Sequence, residues 1–266
     1  MTWLRSIDLR APASQQGYPF NLSFVQQWQP LEFQAAVTFF VGENGSGKST
    51  LLEALAVASD MITVGSLPVQ QDGSLDAVRP LAKALKLVWS QRVRRGFFLR
   101  SEDFLGWVRA EQRTKAEMQD ELEDVERTFG DRSDYARALA RGPLSGQLAS
   151  MQKRYGGGLE TRSHGESFLD LFQARFRPDG LYLLDEPEVP LSPLRQLSLL
   201  ALLKDMVAQG AQFVIATHSP ILMAFPDAEI INFDASPLQR AAYADLEHVR
   251  LTRDFLADPQ QFLKYL

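Results

Sequence analysis

Residues Gly42 to Thr50 read GENGSGKST. They match the spacing G-x-x-x-x-G-K-[ST] at Gly42, Gly47, Lys48 and Ser49, a pattern whose chemistry is the cradling of a polyphosphate. Glycines allow successive backbone N–H groups to turn toward one anion with no Cβ in the way. A helix beginning near Lys48 would aim its positive end at the same point. Asn44, Gly45 and Ser46 complete the loop. Lys48 is expected to reach the β- and γ-phosphates of a nucleotide and Ser49 to ligate Mg2+, with Thr50 adding a hydroxyl toward the α-phosphate.

Two further stretches carry matching chemistry. LYLLDEPE, residues 181–188, is an apolar run that ends in acids. Asp185 is placed to hold Mg2+, and Glu186, one residue on, to polarise a water in line with the γ-phosphate. IATHS, residues 215–219, ends a second apolar run on His218, which could donate to the γ-phosphate or hold the attacking water. Arg162 to Phe168 read RSHGESF, where Ser163 and Glu166 have the spacing of a capping box at a helix start. A glycine run, Gly156 to Gly158, lies just upstream.

These residues need elements to position them. AVTFFVG leads into the glycine loop as a short, fully buried strand, and KSTLLEALAVAS leads out with apolar residues at helical spacing. WLRSIDLR and YPFNLSFV read as short N-terminal strands. SPLRQLSLLALLKDMVAQG predicts a helix capped by Ser192 and ended by Gly210, and AQFVIATHS and AEIINFD predict further strands. Short apolar strands alternating with helices imply a mostly parallel sheet covered on both faces. The expected fold is therefore α/β, with an N-terminal antiparallel β part. Residues 1–60 and 160–266 form its core, and residues 61–159 a helical and loop insertion. Within the insertion LAKALKLVWSQRV fits a helix or a strand. SEDFLGWVRAEQRTKAEMQDELEDVERTF is rich in helix formers, with Phe104, Val108, Met118, Leu122, Val125 and Phe129 at three- and four-residue spacing.

Composition sets the outer bounds. The chain has 266 residues, 45% hydrophobic and 23% charged, ordinary for a globular protein with a substantial core. With no cysteine, disulfides, thiolate metal sites and a cysteine nucleophile are excluded. The net charge of -5 gives no support for global attraction to nucleic acid, although RVRRG (92–96) and QKRYGGG (152–158) offer local positive charge. The N-terminal residues lack the apolar core of a signal peptide, and no apolar run approaches the roughly 18 residues of a membrane span. A cytoplasmic chain without membrane insertion is expected.

In order and spacing, GENGSGKST, SHGES, LYLLDEP and ATHS resemble the Walker A, signature, Walker B and switch-histidine segments of the ABC-type ATPase superfamily. The likeness is strongest to stand-alone bacterial ATPases near the DNA-repair and chromosome-structure branch, and it extends to EHVRLTRDFL and PQQFLKYL near the C-terminus. The resemblance implies a P-loop fold and two copies closing head to tail around two ATP molecules. In such a homodimer Ser163, Gly165 and Glu166 would meet the γ-phosphate of the other copy's site, and an effector protein would receive the cycle. Asp185 would be the Mg2+-linked acid, Glu186 the base and His218 the switch histidine.

The chain departs from the pattern in places. Arg162 stands where leucine is usual, His164 where glycine is common and Glu166 in place of glutamine. In the loop after Walker B, Val189 and Pro190 replace Ser-Ala and Ser192 replaces aspartate. For the Mg2+-sensing glutamine, Gln91 and the neighbourhood of Arg100 and Glu102 stay open. For an adenine-stacking aromatic, so do Tyr18, Phe20, Trp28 and Phe33. Two other uses of the same engine are the nucleotide subunit of a membrane transporter and a repair or defence ATPase acting on nucleic acid.

Overall fold

The computed structural model describes residues 2–10, 17–64, 69–129 and 164–264, with isolated positions between 133 and 146. Its strands are β1 (Leu4–Leu9), β2 (Leu31–Glu32), β3 (Val37–Val41), β4 (Leu85–Trp89), β5 (Gly96–Arg100), β6 (Leu181–Asp185), β7 (Gln212–Ala216), β8 (Glu229–Asn232) and β9 (Gln239–Arg240).

Every residue of β3, β6 and β7 is buried. That burial on both sides is what a central parallel strand needs. They lie inside a six-stranded sheet of order β5-β6-β7-β3-β8-β9, parallel throughout except for the last pair. Alternate residues of each strand serve opposite faces. Phe39, Leu99, Tyr182, Leu184, Phe213 and Ile215 belong to one apolar layer, which the helices His164–Arg175 and Pro193–Ala208 close. Phe40, Phe98, Leu181, Leu183, Val214 and Ile231 belong to the other. The helix Lys48–Ala58 and a three-stranded antiparallel sheet, β2-β1-β4, cover that second layer. Fully buried Gln212 ties the two sheets together. Its Oε1 accepts from the N–H groups of Trp3 and Leu4, at 2.8 and 2.9 Å, and its Nε2 donates to the Leu4 carbonyl at 3.0 Å.

The α/β fold with its parallel sheet and N-terminal antiparallel part is as expected. Two segments differ from their sequence expectation. YPFNLSFV forms a turn and the short helix Ser23–Gln26, not a strand. Pro19 cannot donate to a ladder, and Phe20 and Phe24 are buried at a spacing of four, which suits a helical turn. The stretch 61–159 is not helical at its start. LAKALKLVW splits into the helix Arg79–Ala84 and β4, and GFFLR becomes β5 at the edge of the main sheet. The helical part begins at Ser101 and runs to Phe129, about 43 Å at 1.5 Å per residue. On it Met118, Leu122, Val125 and Phe129 stay half-exposed, while Phe104 is fully buried in the first layer. The glycine run 156–158 lies outside the described residues.

Candidate functional site

Strand register fixes where the chemistry sits. Arg100 pairs with Asp185, Asp185 with Ala216, Phe40 with Ala216, and Val41 with Asn232. Five strands therefore end together, and the segments that leave them share one edge. Those segments hold Ser101, Glu186, His218, the glycine loop and Asp234.

The glycine loop turns directly into the helix Lys48–Ala58. Gly47 caps it with φ +100°, and a Cβ there would fall 2.5 Å from the Phe24 ring, so the position admits glycine alone. Lys48 is 5% exposed. Its Nζ donates to the carbonyls of Gly42 and Glu43 at 2.7 and 3.0 Å, which folds the ammonium back over the loop. Burial lowers its pKa below the usual lysine value, an effect that the charges of Glu186, Asp234 and Asp185 oppose. The Asp234 carboxylate accepts the Glu43 N–H at 2.7 Å and so fixes the start of the loop. Ser46 Oγ is buried with no partner, an orphan that a bound phosphate would satisfy. Gly42, Asn44, Gly45 and Ser46 share with His218 the wall of a cavity of about 1150 Å³.

Ser49 Oγ donates to Asp185 Oδ1 at 3.0 Å. Burial pushes the Asp185 carboxyl up to about 7, with the neighbouring negative charges of Glu186 and Glu53 adding to the rise and Ser49 and Lys48 opposing it. A hydroxyl and a carboxylate this close, in a setting short of positive charge, form a donor pair suited to Mg2+. Among the described residues no group of three His, Asp or Glu side chains is placed to hold a metal, so the remaining ligands would be phosphate oxygens and water.

Glu186 takes a left-handed backbone conformation, φ +48°, and its N–H donates to the Ala216 carbonyl at 2.9 Å. A non-glycine residue held there costs of order 1 kcal/mol or more, and such strain clusters at working sites. The bend brings Glu186 Oε1 to 3.7 Å from His218 Nε2, which is itself buried without a hydrogen-bond partner. Burial, and then the Lys48 charge, lower the His218 pKa, so its imidazole is neutral at neutral pH.

Three contributors were not singled out from the sequence. Glu188 Oε1 accepts the His218 backbone N–H at 2.7 Å, holding the histidine's loop from below. Burial raises the Glu188 pKa, which hydrogen bonds from Thr217 and the His218 N–H oppose. Ser101 Oγ donates to the Asp185 carbonyl at 3.1 Å and also contacts the Glu186 carbonyl, clamping the acidic turn. Asp234 fixes the glycine loop as described. The signal for Glu188 was present as the third acid of DEPE. The signal for Asp234 was its place just beyond a strand end. Ser101 carried none.

The open assignments resolve unequally. Of the four aromatics, Phe20 and Phe33 are buried and Trp28 packs against the core. Tyr18 is 52% exposed, and its hydroxyl lies 3.0 Å from Thr50 Oγ1, beside the phosphate loop. Gln91 sits in the loop before β5, at the sheet edge opposite Asp185, and leaves the site. Arg100 is at the correct edge but is committed elsewhere. Burial works against its charge, yet hydrogen bonds to Asp103 and the charges of Asp103, Asp72 and Glu102 hold its pKa above the ordinary arginine value. It bonds Asp103 at 2.8 and 3.0 Å, Asp72 at 2.8 Å and Ser74 at 2.8 Å. Ser163 lies outside the described residues. Gly165 and Glu166 fall in the first turn of the helix His164–Arg175, so the described helix begins immediately after Ser163.

A family model described as an AAA domain matches residues 21–62. A second, described as an AAA domain, putative AbiEii toxin, Type IV TA system, matches residues 167–224. The first match contains the phosphate loop, and the second contains the acidic turn and His218; each spans only part of the chain. A search of curated protein sequences finds no match. Distant likenesses among solved structures include the Smc head domain of Pyrococcus furiosus bound to the C-terminal domain of ScpA, at 13% identity and TM-score 0.49, covering 95% of this chain and 99% of that one. The SMC head domain of Thermotoga maritima stands at 18% and 0.44, covering 91% and 100%. CbiO1 of Clostridium perfringens, part of an ABC transporter complex, stands at 14% and 0.47, covering 100% of each chain.

Proposed function

We propose that the chain binds ATP with Mg2+ and hydrolyses it to ADP and phosphate, and that the ATP-bound form is a head-to-tail homodimer whose closure acts on an effector protein. The observation that carries the reading is the convergence of Lys48, Ser49, Asp185, Glu186 and His218 on one sheet edge, with Ser49 and Asp185 3.0 Å apart.

In this reading the loop N–H groups and Lys48 bind the β- and γ-phosphates, and Tyr18 offers its exposed ring to the base. Ser49 and Asp185 hold Mg2+, which when bound neutralises phosphate charge. Glu186 accepts a proton from the water that attacks the γ-phosphorus, while the bond to the β–γ bridging oxygen breaks. His218, neutral and unpartnered at Nε2, orients that water or the γ-phosphate. Gly165 and Glu166, in the first turn of the helix His164–Arg175, and Ser163, which precedes them in the sequence, meet the γ-phosphate bound in the other copy.

Glu186→Gln tests the reading. It should abolish turnover yet yield a dimer with Mg-ATP at micromolar concentration, read by light scattering. Lys48→Ala should lose both nucleotide and dimer. Ser163→Arg should keep the nucleotide and lose the dimer. A monomeric Glu186→Gln chain saturated with Mg-ATP would remove the head-to-tail part of the proposal and leave the hydrolytic part to be read from wild-type turnover.

A further inference from the structure

At the sheet edge away from the phosphate loop, residues 90–95 connect β4 to β5 and border a cleft of about 410 Å³. Three arginines line it, Arg92, Arg94 and Arg95, all exposed. Among the described residues none of the three makes an ion pair or a side-chain hydrogen bond. The half-buried Trp89 lines the same cleft, as does Ser59, whose Oγ is buried with no partner. The carboxylate on the cleft wall is Asp60, which accepts from Gln70 Nε2 at 2.9 Å. The wall is thus cationic by three charges against one, in a chain whose net charge is -5.

The loop is also firmly held. The Arg95 carbonyl accepts the Leu181 N–H at 3.0 Å. Gly96 has φ +132°, and a Cβ there would fall 1.7 Å from the Leu181 carbonyl oxygen, so the chain can pass β6 this closely only with glycine. At the other end Ser90 Oγ donates to the Thr2 and Trp3 carbonyls at 2.7 and 3.1 Å. Three like charges crowded within four residues repel one another, and among the described residues no acid pairs with them, an arrangement that suits an external anion. Guanidinium groups pair with phosphate through two parallel hydrogen bonds. Several arginines in a row suit consecutive phosphates, and an indole beside them suits the face of an unpaired base.

We propose that this cleft binds single-stranded nucleic acid, with Arg92, Arg94 and Arg95 on successive phosphates, Trp89 stacked on a base and Ser59 Oγ bonded to the strand. A duplex keeps its base faces inside the stack and cannot use Trp89. The site is separate from the ATP site, and binding to it is read without nucleotide, so it stands or falls independently of the proposed ATPase cycle.

Fluorescence anisotropy with labelled oligothymidylate and oligouridylate of about twenty nucleotides tests it. At least one probe should bind, with a dissociation constant rising with salt on a log–log slope of about 2, as three phosphate contacts on a single strand imply. The triple substitution R92Q/R94Q/R95Q should abolish binding while leaving ATP turnover and melting temperature unchanged. Trp89→Ala should weaken binding about tenfold or more. Equal binding by the triple variant, a salt-independent constant, or equal affinity for a duplex of the same sequence would overturn the proposal. So would failure of both oligonucleotides while oligoglutamate binds, since the cleft would then be a docking site for acidic protein.

Discussion

Glu188 is the residue whose loss should tell most about the acidic turn. It touches no reacting atom in the proposed mechanism, and it acts through His218 by accepting its N–H at 2.7 Å. Glu188→Ala leaves that N–H without its partner and frees the histidine loop, which should lower kcat about tenfold with little change in KM for ATP. Glu188→Gln keeps an acceptor oxygen and should recover most of the rate. Steady-state kinetics on the pair separate positioning from simple loss of charge, and equal damage by both would defeat the positioning role. Asp185 makes a second residue-level prediction, through pH. Its folded pKa, about 7, lies above the ordinary aspartate value, so its contribution to stability is complete below about pH 4 and is lost as pH rises through 7. The metal-free chain should therefore lose roughly 3–4 kcal/mol from this group between pH 4 and pH 8. Melting temperatures at pH 5 and pH 8 should fall further in the wild type than in Asp185→Asn, and parallel curves would contradict the burial argument.

At the scale of elements, the helix His164–Arg175 matters most, because Gly165 and Glu166, which the proposed dimer would use, lie in its first turn. Phe168, Phe172 and Phe176 follow at four-residue spacing and build one aromatic cluster with Phe97, Phe104, Tyr182 and Phe213. Phe172 lies 4.6 Å from Phe168 and 4.9 Å from Phe176, centroid to centroid. This packing sets the register of the helix on the sheet. Phe172→Ala should cost about 3–5 kcal/mol by denaturant titration, and a cost below 1 would mean that the cluster is not what anchors the helix. The strands that bear the site were legible because VTFFV, LYLLD and QFVIA are largely apolar, and each runs into chemical residues: the glycine loop after Val41, Asp185 and Glu186 at the end of LYLLD, and His218 two residues beyond Ala216. β5 was hidden for a physical reason. GFFLR is an edge strand, and it ends on Arg100, a charge that is buried only because Asp103 and Asp72 reach it from outside the strand. The helix Ser23–Gln26 was masked by an alternation of apolar residues that also satisfies a helical turn. Gln91 shared a region of sequence with β5 but belongs to the other sheet edge, and spacing alone carries no information about which edge a loop occupies.

At the scale of the whole molecule, the site is assembled from segments far apart in sequence: residues 42–50, Ser101, 185–188 and 218. A ligand that binds them together should stabilise the fold as one unit. At a hundredfold excess over its dissociation constant, Mg-ATP adds about 2.7 kcal/mol, which in a chain of this size raises the melting temperature by roughly 5–10 °C. If closure also brings in a second copy, the gain must depend on protein concentration, since association is then part of the folded state. Glu186→Gln with Mg-ATP should thus melt higher at higher protein concentration, whereas the same chain with Mg-ADP should not. Lys48→Ala should show neither the shift nor the dependence. A shift with Mg-ATP that stays the same over a hundredfold range of protein concentration would assign the nucleotide to a single chain, with the helix His164–Arg175 serving its own sheet and no other.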